Sequence, residues 1–509
     1  MNAALASPWK RRLGARHVLV AGLLAAVVPL SGCGTRMSSE AIAAADGSAL
    51  AAQSAVGNGA PVAADLGAGP LGVPAAGSVE AAPVPGAPAA AAANTGPVAA
   101  PAPGTTAGGT KTGGTATGAA TNATVPTGPN APCRQSLAPI VLGQTGAFSG
   151  IIGSPMINVR TGIALWSRAV NAAGGVQCHP VQVIQMDDGA DPARVSSNLS
   201  SLKSKGVVAM IAVNVPTTFS AAKRFAEQNK MPIIGGDLIE TPWYSSPWFF
   251  PQGGGPLASY AGAIKQAALK ANTKKVGLIY CVEAAICGTI NQNFDAMAKL
   301  SGLEVVVRKV SSITSPDYTA ECQALKAAGA EAIFVALEGS GDARFARSCL
   351  SLGYSPPTAT SALSVNAEAA QDANFRKLGV FLGTPNAPYL AQDTAGTKAF
   401  QAAYNRFAAG SMLDQNLISG WAAGKLFEKA ISHVADQARS GAVTTGLILE
   451  GLWRIKNEKL DGLSSPITFN KNAPPDPNDC YALLNLTTTG YSAPLGSKFE
   501  CFKGLPKGF

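Results

Sequence analysis

The chain has 509 residues and a formal net charge of +9; Lys10, Arg11, Arg12 and Arg16 supply four of these charges, leaving +5 for the rest. No block of Lys and Arg is interleaved with aromatic residues, which argues against nucleic acid as a partner. His17, His179 and His433 are scattered and no CxxC pair occurs, so a metal centre is not expected.

The basic opening leads into an apolar run over 18–30. That is short of the ~20 residues a bilayer-spanning helix needs, so the run reads as an export signal. It ends in Leu30-Ser31-Gly32-Cys33, which resembles the lipobox of bacterial lipoproteins. The resemblance implies that residues 1–32 are removed, that the Cys33 thiol carries diacylglycerol, and that the protein sits on the extracytoplasmic face of a membrane. Residues 43–132 are almost wholly Ala, Gly, Pro, Thr and Val, without an aromatic residue. Such a composition buries too little apolar surface to offset the entropy of ordering, so 33–132 is expected to be a disordered tether. A flexible coil of about 99 residues averages roughly 55 Å end to end, and prolines stiffen it further. Asn122-Ala123-Thr124 fits a glycosylation sequon, which carries little weight in a bacterial-type lipoprotein.

Residues 133–509 have aromatics, periodic apolar segments and ordinary charge, in a number that suits two lobes. Strands are expected at 138–143, 181–186, 207–213 and 232–235, alternating with helices at 156–173, 192–205 and 217–230. Phe249 to Gly255 looks like a crossing strand and turn. The alternation then restarts, with helices at 257–272, 289–302, 318–328 and 343–352 and strands at 275–280, 304–310, 332–337 and 380–384. Strands alternating with helices imply parallel sheets with right-handed crossovers. The expected division is 133–256 for the first part of lobe 1, 257–383 for lobe 2, 384–450 for a return to lobe 1, and 451–509 for a crossover and a C-terminal segment on lobe 2. Once Cys33 is set aside, eight cysteines remain, an even number that in an exported protein reads as disulfides. Of the 105 possible pairings, adjacency in this fold favours Cys133 with Cys178, Cys281 with Cys287, Cys322 with Cys349, and Cys480 with Cys501.

Four motifs in order, Gly143-Gln144-Thr145-Gly146, Asn171-Ala172-Ala173-Gly174-Gly175-Val176, Asp187-Asp188 with Asp191-Pro192, and Asp317-Tyr318-Thr319, resemble those of branched-chain amino-acid binding proteins. More broadly, about residues 137–490 resemble the type 1 periplasmic binding proteins, the ligand receptors of ABC importers. The resemblance implies an α/β fold of two Rossmann-like lobes joined by a multi-strand hinge, closing on a small ligand and docking on a membrane permease. No cofactor is implied, and a monomer is expected.

Ligands of such sheets lie beyond the carboxyl ends of the strands. Thr217 and Thr218 stand where a helix begins after a strand, an end that offers unpaired N–H groups to a carboxylate. In the resembled family this loop holds the ligand's carboxylate; the alternative is that Thr217 merely caps its helix. Phe148, Asp237, Glu283 and Glu338 occupy other strand-end loops and complete the candidate ligand-binding set, the acids as partners for an ammonium group and Phe148 for an apolar body. Two departures from the amino-acid binders stand out. Cys287-Gly288 takes the place of a stacking tyrosine, and Gly235-Gly236-Asp237 replaces a loop that carries a hydroxyl. Amino acids are therefore a default ligand. The cluster Trp243, Tyr244, Trp248, Phe249 and Phe250 is expected in hinge and core.

No GxSxG, HExxH or GxxxxGK[ST] motif occurs in the folded part, and His179 beside Cys178 sits in a turn, so no catalytic residue is assigned. The function expected is capture of a small molecule for an ABC importer; the alternative is a ligand-sensing or cell-envelope regulatory module acting through a protein partner.

Overall fold

The structure, a computed structural model, describes residues 133, 135–153 and 156–503. The expected signal over 1–32, the expected anchor at Cys33 and the expected tether over 33–132 lie outside them. Among the described residues no helix is long and apolar enough to cross a membrane.

The first series runs β1 (Ile140–Gly146), α1 (Ile157–Ala172), β2 (Val181–Asp187), α2 (Pro192–Ser204), β3 (Ala209–Val213), α3 (Phe219–Asn229), β4 (Ile233–Gly236) and β5 (Phe249–Phe250). Its strands pair in the order β2-β1-β3-β4-β5, all parallel. Ala209 to Val213 is apolar throughout and wholly buried, the form a central strand takes when helices cover both faces of its sheet. Asp191 starts α2 by accepting the Ala193 and Arg194 amides, with Pro192 preset in the first turn.

The second series runs α4 (Pro256–Ala271), β6 (Lys275–Tyr280), α5 (Ala285–Leu300), β7 (Glu304–Val310), α6 (Thr319–Ala327), β8 (Ala332–Ala336), α7 (Gly339–Ser351), β9 (Thr358–Ser361), two short helices, α8 (Ala367–Gln371) and α9 (Ala373–Lys377), and β10 (Val380–Thr384). The parallel order is β7-β6-β8-β9-β10. The chain then goes back to the first sheet through α10 (Ala395–Phe407), α11 (Gln415–Ser432), α12 (Ala435–Ser440) and α13 (Thr445–Trp453). It ends on the second sheet, where β11 (Cys480–Thr487) adds antiparallel to β10 and β12 (Gly490–Ser492) and β13 (Glu500–Cys501) pair with β11. The fold is α/β with two parallel-sheet lobes. Glycine sets how α11 rejoins lobe 1: a Cβ on Gly420 would lie 2.3 Å from the Val159 carbonyl oxygen, and one on Gly162 2.0 Å from that of Leu417. Any larger residue would push α1 and α11 apart.

Three segments cross between the lobes side by side. The Gly254 amide donates to the Pro385 carbonyl (3.1 Å), the Ala387 amide to Leu463 (2.9 Å) and the Gly255 amide to Asn478 (3.4 Å). Gln252, fully buried, spans Gly236 and Ser419 of lobe 1 with its side chain, while its carbonyl accepts the Asn386 amide group at 2.8 Å. These hydrogen bonds tie the crossing segments to one another, while a crossing of three strands still allows rotation about them. Trp243 and Phe249 pack with Phe219 in the core, Phe250 meets Phe469, and the Tyr244 hydroxyl donates to the Gly254 carbonyl at 2.7 Å.

Disulfides join Cys133 to Cys178, Cys281 to Cys287, Cys322 to Cys349 and Cys480 to Cys501, each closing a contact within one lobe. Two helices start earlier than their apolar pattern indicates. Helix α5 begins at Ala285 rather than 289, next to the Cys281–Cys287 bridge. Helix α7 begins at Gly339 rather than 343, because Glu338 caps it. Strand β9, Thr358–Ser361, was not expected: its Thr-Ala-Thr-Ser sequence has a single small apolar residue, Ala359, yet it is buried between β8 and β10.

Candidate functional site

The loops that follow β1, β3 and β4 face those that follow β6, β7, β8 and β9 across one cavity of about 690 Å³, counted to its open mouth. Lobe 1 contributes Met156, Pro216, Thr217 and Ile239; lobe 2 contributes the larger wall, with Tyr260, Ile286, Ile290, Ile313, Phe334 and the Cys281–Cys287 bridge among its residues. Polar groups are few and lie apart: Thr217 on one side, Glu338, Thr360, Ser361 and Ser364 on the other.

The lobe 1 side is shaped by a matched pair of kinks. Ala212 in β3 (φ 51) and Gly235 in β4 (φ 64) lie between the paired positions Ile211/Ile234 and Val213/Gly236, and both adopt left-handed backbone. Gly235 is required there twice over, since a Cβ would also stand 2.5 Å from that of Ala423. Beyond the kink, Asp237 fixes the next loop: its carboxylate accepts the Val215 amide and the Trp243 indole N–H, each at 2.8 Å. Burial pushes Asp237 up to about 6, against the pull of those two hydrogen bonds. Below it, Asp188 is also pushed to about 6 by burial while accepting the Ala190 amide and the Thr145 hydroxyl.

The candidate residues separate accordingly. Thr217 and Glu338 line the cavity from opposite lobes. Thr218 lies just behind Thr217, buried, at the cap position before α3; its hydroxyl has no partner and no side chain caps the helix. Asp237 is not on the cavity wall: it is fully buried and committed to holding Val215 and Trp243. Phe148 is buried against Gly146 and under the Arg160 guanidinium, 5.5 Å from its ring centre, also off the cavity. Glu283 is exposed and ties the disulfide loop to the loop after β7, accepting the Ser312 hydroxyl and the Ile313 amide. Partial burial works to raise its pKa, but those hydrogen bonds prevail and hold it below the usual range. Glu338 accepts the Gly341 amide at 2.8 Å and the Ser340 amide at 2.9 Å, with Arg344 at 3.7 Å, so most of its acceptor capacity serves α7.

Sequence reasoning missed Tyr260 and Glu240. Tyr260 comes from α4 of lobe 2 and donates its hydroxyl to the Ile239 carbonyl of lobe 1 at 3.3 Å. Nearby, Met156, Ile239 and Leu363 form a small buried cluster drawn from both lobes, and the Asn416 amide group donates to the Leu363 carbonyl at 3.0 Å. Glu240, in the loop after β4, is buried against lobe 2 and pushed up to about 8, chiefly by burial and also by Asp237. Nothing in Leu238-Ile239-Glu240-Thr241 marks it in sequence, because its burial arises only where the lobes meet.

The cavity lies between two parallel-sheet lobes, is apolar over most of its wall, and among the described residues its lining carries no clustered nucleophile and base. Among curated proteins none matches the chain in sequence. Solved structures do match in fold. A fatty acid ABC transporter substrate-binding protein from Thermomonospora curvata is 20% identical, with 71% of this chain and 94% of that chain covered at a TM-score of 0.59. The branched-chain amino acid transporter substrate-binding protein of Streptococcus pneumoniae, solved with isoleucine, is 18% identical over 72% and 100% of the two chains, with a TM-score of 0.57. A solute-binding protein of an ABC transporter from R. palustris, solved with benzoate, is 17% identical over 70% and 96%, with a TM-score of 0.55. The family model for periplasmic binding proteins matches residues 139–490, and the chain belongs to that family, in its type 1 form.

Proposed function

We propose that this protein captures a small molecule with an apolar body and a single carboxylate or similar polar end, and delivers it to an ABC importer in the membrane. The observation that carries the reading is the cavity itself: an apolar lobe 2 wall facing, on lobe 1, Thr217 and the uncapped start of α3. Unpaired N–H groups and the positive end of the helix dipole suit an anionic oxygen there. An ammonium group finds less. Asp237 and Glu283 are engaged elsewhere, and Glu338 is occupied by α7. Fatty acid and benzoate, named for two of the similar structures, have the chemistry this cavity favours, and isoleucine, bound by a third, lacks a free acid to meet its ammonium.

Calorimetry of the full chain with decanoate, benzoate and isoleucine tests the reading. Either monocarboxylate should bind more tightly than isoleucine, and at ~100 times its dissociation constant should stabilise the fold by about 2.7 kcal/mol. Isoleucine binding more tightly than both would return the ligand to amino acids, and no binding by any would favour the sensing alternative. Thr217 is the proposed contact for the ligand's polar end, and Glu338 bounds the cavity at the opposite margin. Attachment through a diacylated Cys33, with 33–132 as tether and the folded part working as a monomer, completes the proposal. Cys33→Ala should move the protein from the membrane to the soluble fraction; unchanged fractionation would refute that attachment.

A further inference from the structure

Three helices point their N-termini toward the cleft, and α5, like α3, has no side-chain cap of its own. Its preceding residue is Ala284, which has no side chain to cap with. The loop of lobe 1 that carries Glu240 comes against this end: Glu240 is buried, its neighbour Ile239 and Ile286 of α5 both line the cavity, and the Ile286 backbone N–H is among the groups that act on its carboxyl. Glu240 is 3% exposed, and its Oε1 has no hydrogen-bond partner. A buried carboxylate with an unpaired oxygen is costly in its charged form, whereas a neutral acid still offers its carbonyl oxygen to an N–H donor. The contact exists only while the lobes are together, because Glu240 and Ile286 belong to different sheets. Both neighbours, Ile239 and Ile286, line the cavity.

We propose that Glu240 is a positioning residue for ligand capture: it joins the lobes by capping α5 across the cleft, and does so as a neutral carboxylic acid, so that closing the cavity takes up one proton. The proposal rests on the reading of the cavity as the ligand site. The titratable groups that face Glu240 are Asp237 on its own loop and Tyr260 on α4, while α5 presents backbone N–H at Ile286. Asp237 is enclosed by Val215 and Trp243 of its own lobe in either state, and burial moves Tyr260 upward, away from neutrality. Neither changes its proton on closure near pH 7. An open cleft returns Glu240 to water and to its ordinary value near 4.5, whereas the closed one holds it at about 8. A group whose pKa is raised in one state stabilises that state fully below the lower value, and the gain is lost as pH rises through the upper one. Closure is therefore favoured by acid and weakens progressively between these two limits.

The test measures benzoate affinity of the full chain from pH 6 to pH 9, a range in which benzoate stays ionised, together with the radius of gyration of the ligand-free protein. Wild-type affinity should fall by at least about tenfold across that range. Glu240→Gln keeps the carbonyl acceptor without the titration, so its affinity should be flat with pH and, at pH 9, tighter than wild type by more than that factor, because wild type in the open form is already ionised at pH 6. A cap of purely structural value would instead weaken Glu240→Gln equally at every pH, and that result, or a flat wild-type profile, overturns the proposal. If benzoate binds at no pH, the scattering decides. Wild type more compact at pH 6 than at pH 9, with Glu240→Gln compact at both, upholds Glu240 while removing benzoate as ligand, and identical curves reject it.

Discussion

The two lobes present helix starts to the same cavity, and they differ in what already occupies them. On lobe 2, α7 carries its own carboxylate cap in Glu338, and α5 has Glu240 of lobe 1 set against it. On lobe 1, α3 follows Thr218, which makes no side-chain cap and keeps an unpartnered buried hydroxyl. A helix start whose N–H groups already face an acceptor has little left to offer an anion, whereas an open one attracts it. The same local geometry therefore gives opposite roles. Lobe 2 offers an apolar wall with its dipoles satisfied, and lobe 1 offers the position where a negative end can sit.

The largest expected effect comes from spoiling the apolar wall. Ile290 is buried on α5 and lines the cavity. Ile290→Asp places a charge against Phe334 and Ile313, and should weaken benzoate or decanoate by at least ~100-fold, about 3 kcal/mol, because burying an unpaired charge costs at least that much. Calorimetry reads the affinity, and circular dichroism checks that the variant is folded; Ile290→Ala, which only removes contact, should lose less. Retained affinity in Ile290→Asp would mean the apolar body lies elsewhere.

An intermediate effect is expected at Glu338, and it discriminates between ligand classes. Removing an N-cap costs about 1 kcal/mol, so Glu338→Ala should lower stability by that amount in urea unfolding. Affinity for a monocarboxylate should stay within about threefold, since the lost group is an anion facing an anion. Loss of isoleucine binding together with that cap would show instead that Glu338 meets an ammonium, and the contrast between the lobes would fail.

Most of the scaffold was legible in the sequence because parallel strands and their helices leave strong periodic patterns, as in Ala209 to Val213 and in α1. What escaped is what tertiary context creates. Strand β9 is polar in sequence and is a strand because β8 and β10 pair with it on either side. The start of α7 was hidden because Gly339-Ser340-Gly341 reads as a loop until Glu338 accepts its amides. Within the candidate site, strand-end position picked out Thr217 and Glu338. It could not tell that Asp237 turns inward to hold Val215 and Trp243, because one residue along a loop decides between facing the cavity and facing the core. Glu240 was invisible for the complementary reason, its environment being supplied by the other lobe.

The smallest effect expected is also the most specific to lobe 1. Thr217 is exposed at the cavity wall beside the start of α3, so water competes for whatever its hydroxyl holds. Thr217→Val keeps the branched shape and removes the hydroxyl. A hydrogen bond to a charged oxygen is worth about 1.5 kcal/mol, and partial exposure trims this to about 1 kcal/mol, or roughly fivefold in affinity. Stability should not change, since no cap or buried bond is lost. The equivalent change at Thr218 should act differently: its buried hydroxyl has no partner, so Thr218→Val removes an unsatisfied group and should leave the fold as stable or slightly more so. A fivefold loss at Thr217 with no loss at Thr218 would place the ligand's polar end at the outer residue of the pair. Equal losses at both would place it over the amides of α3 that the two residues share, and no loss at either would move the anionic end away from lobe 1 altogether.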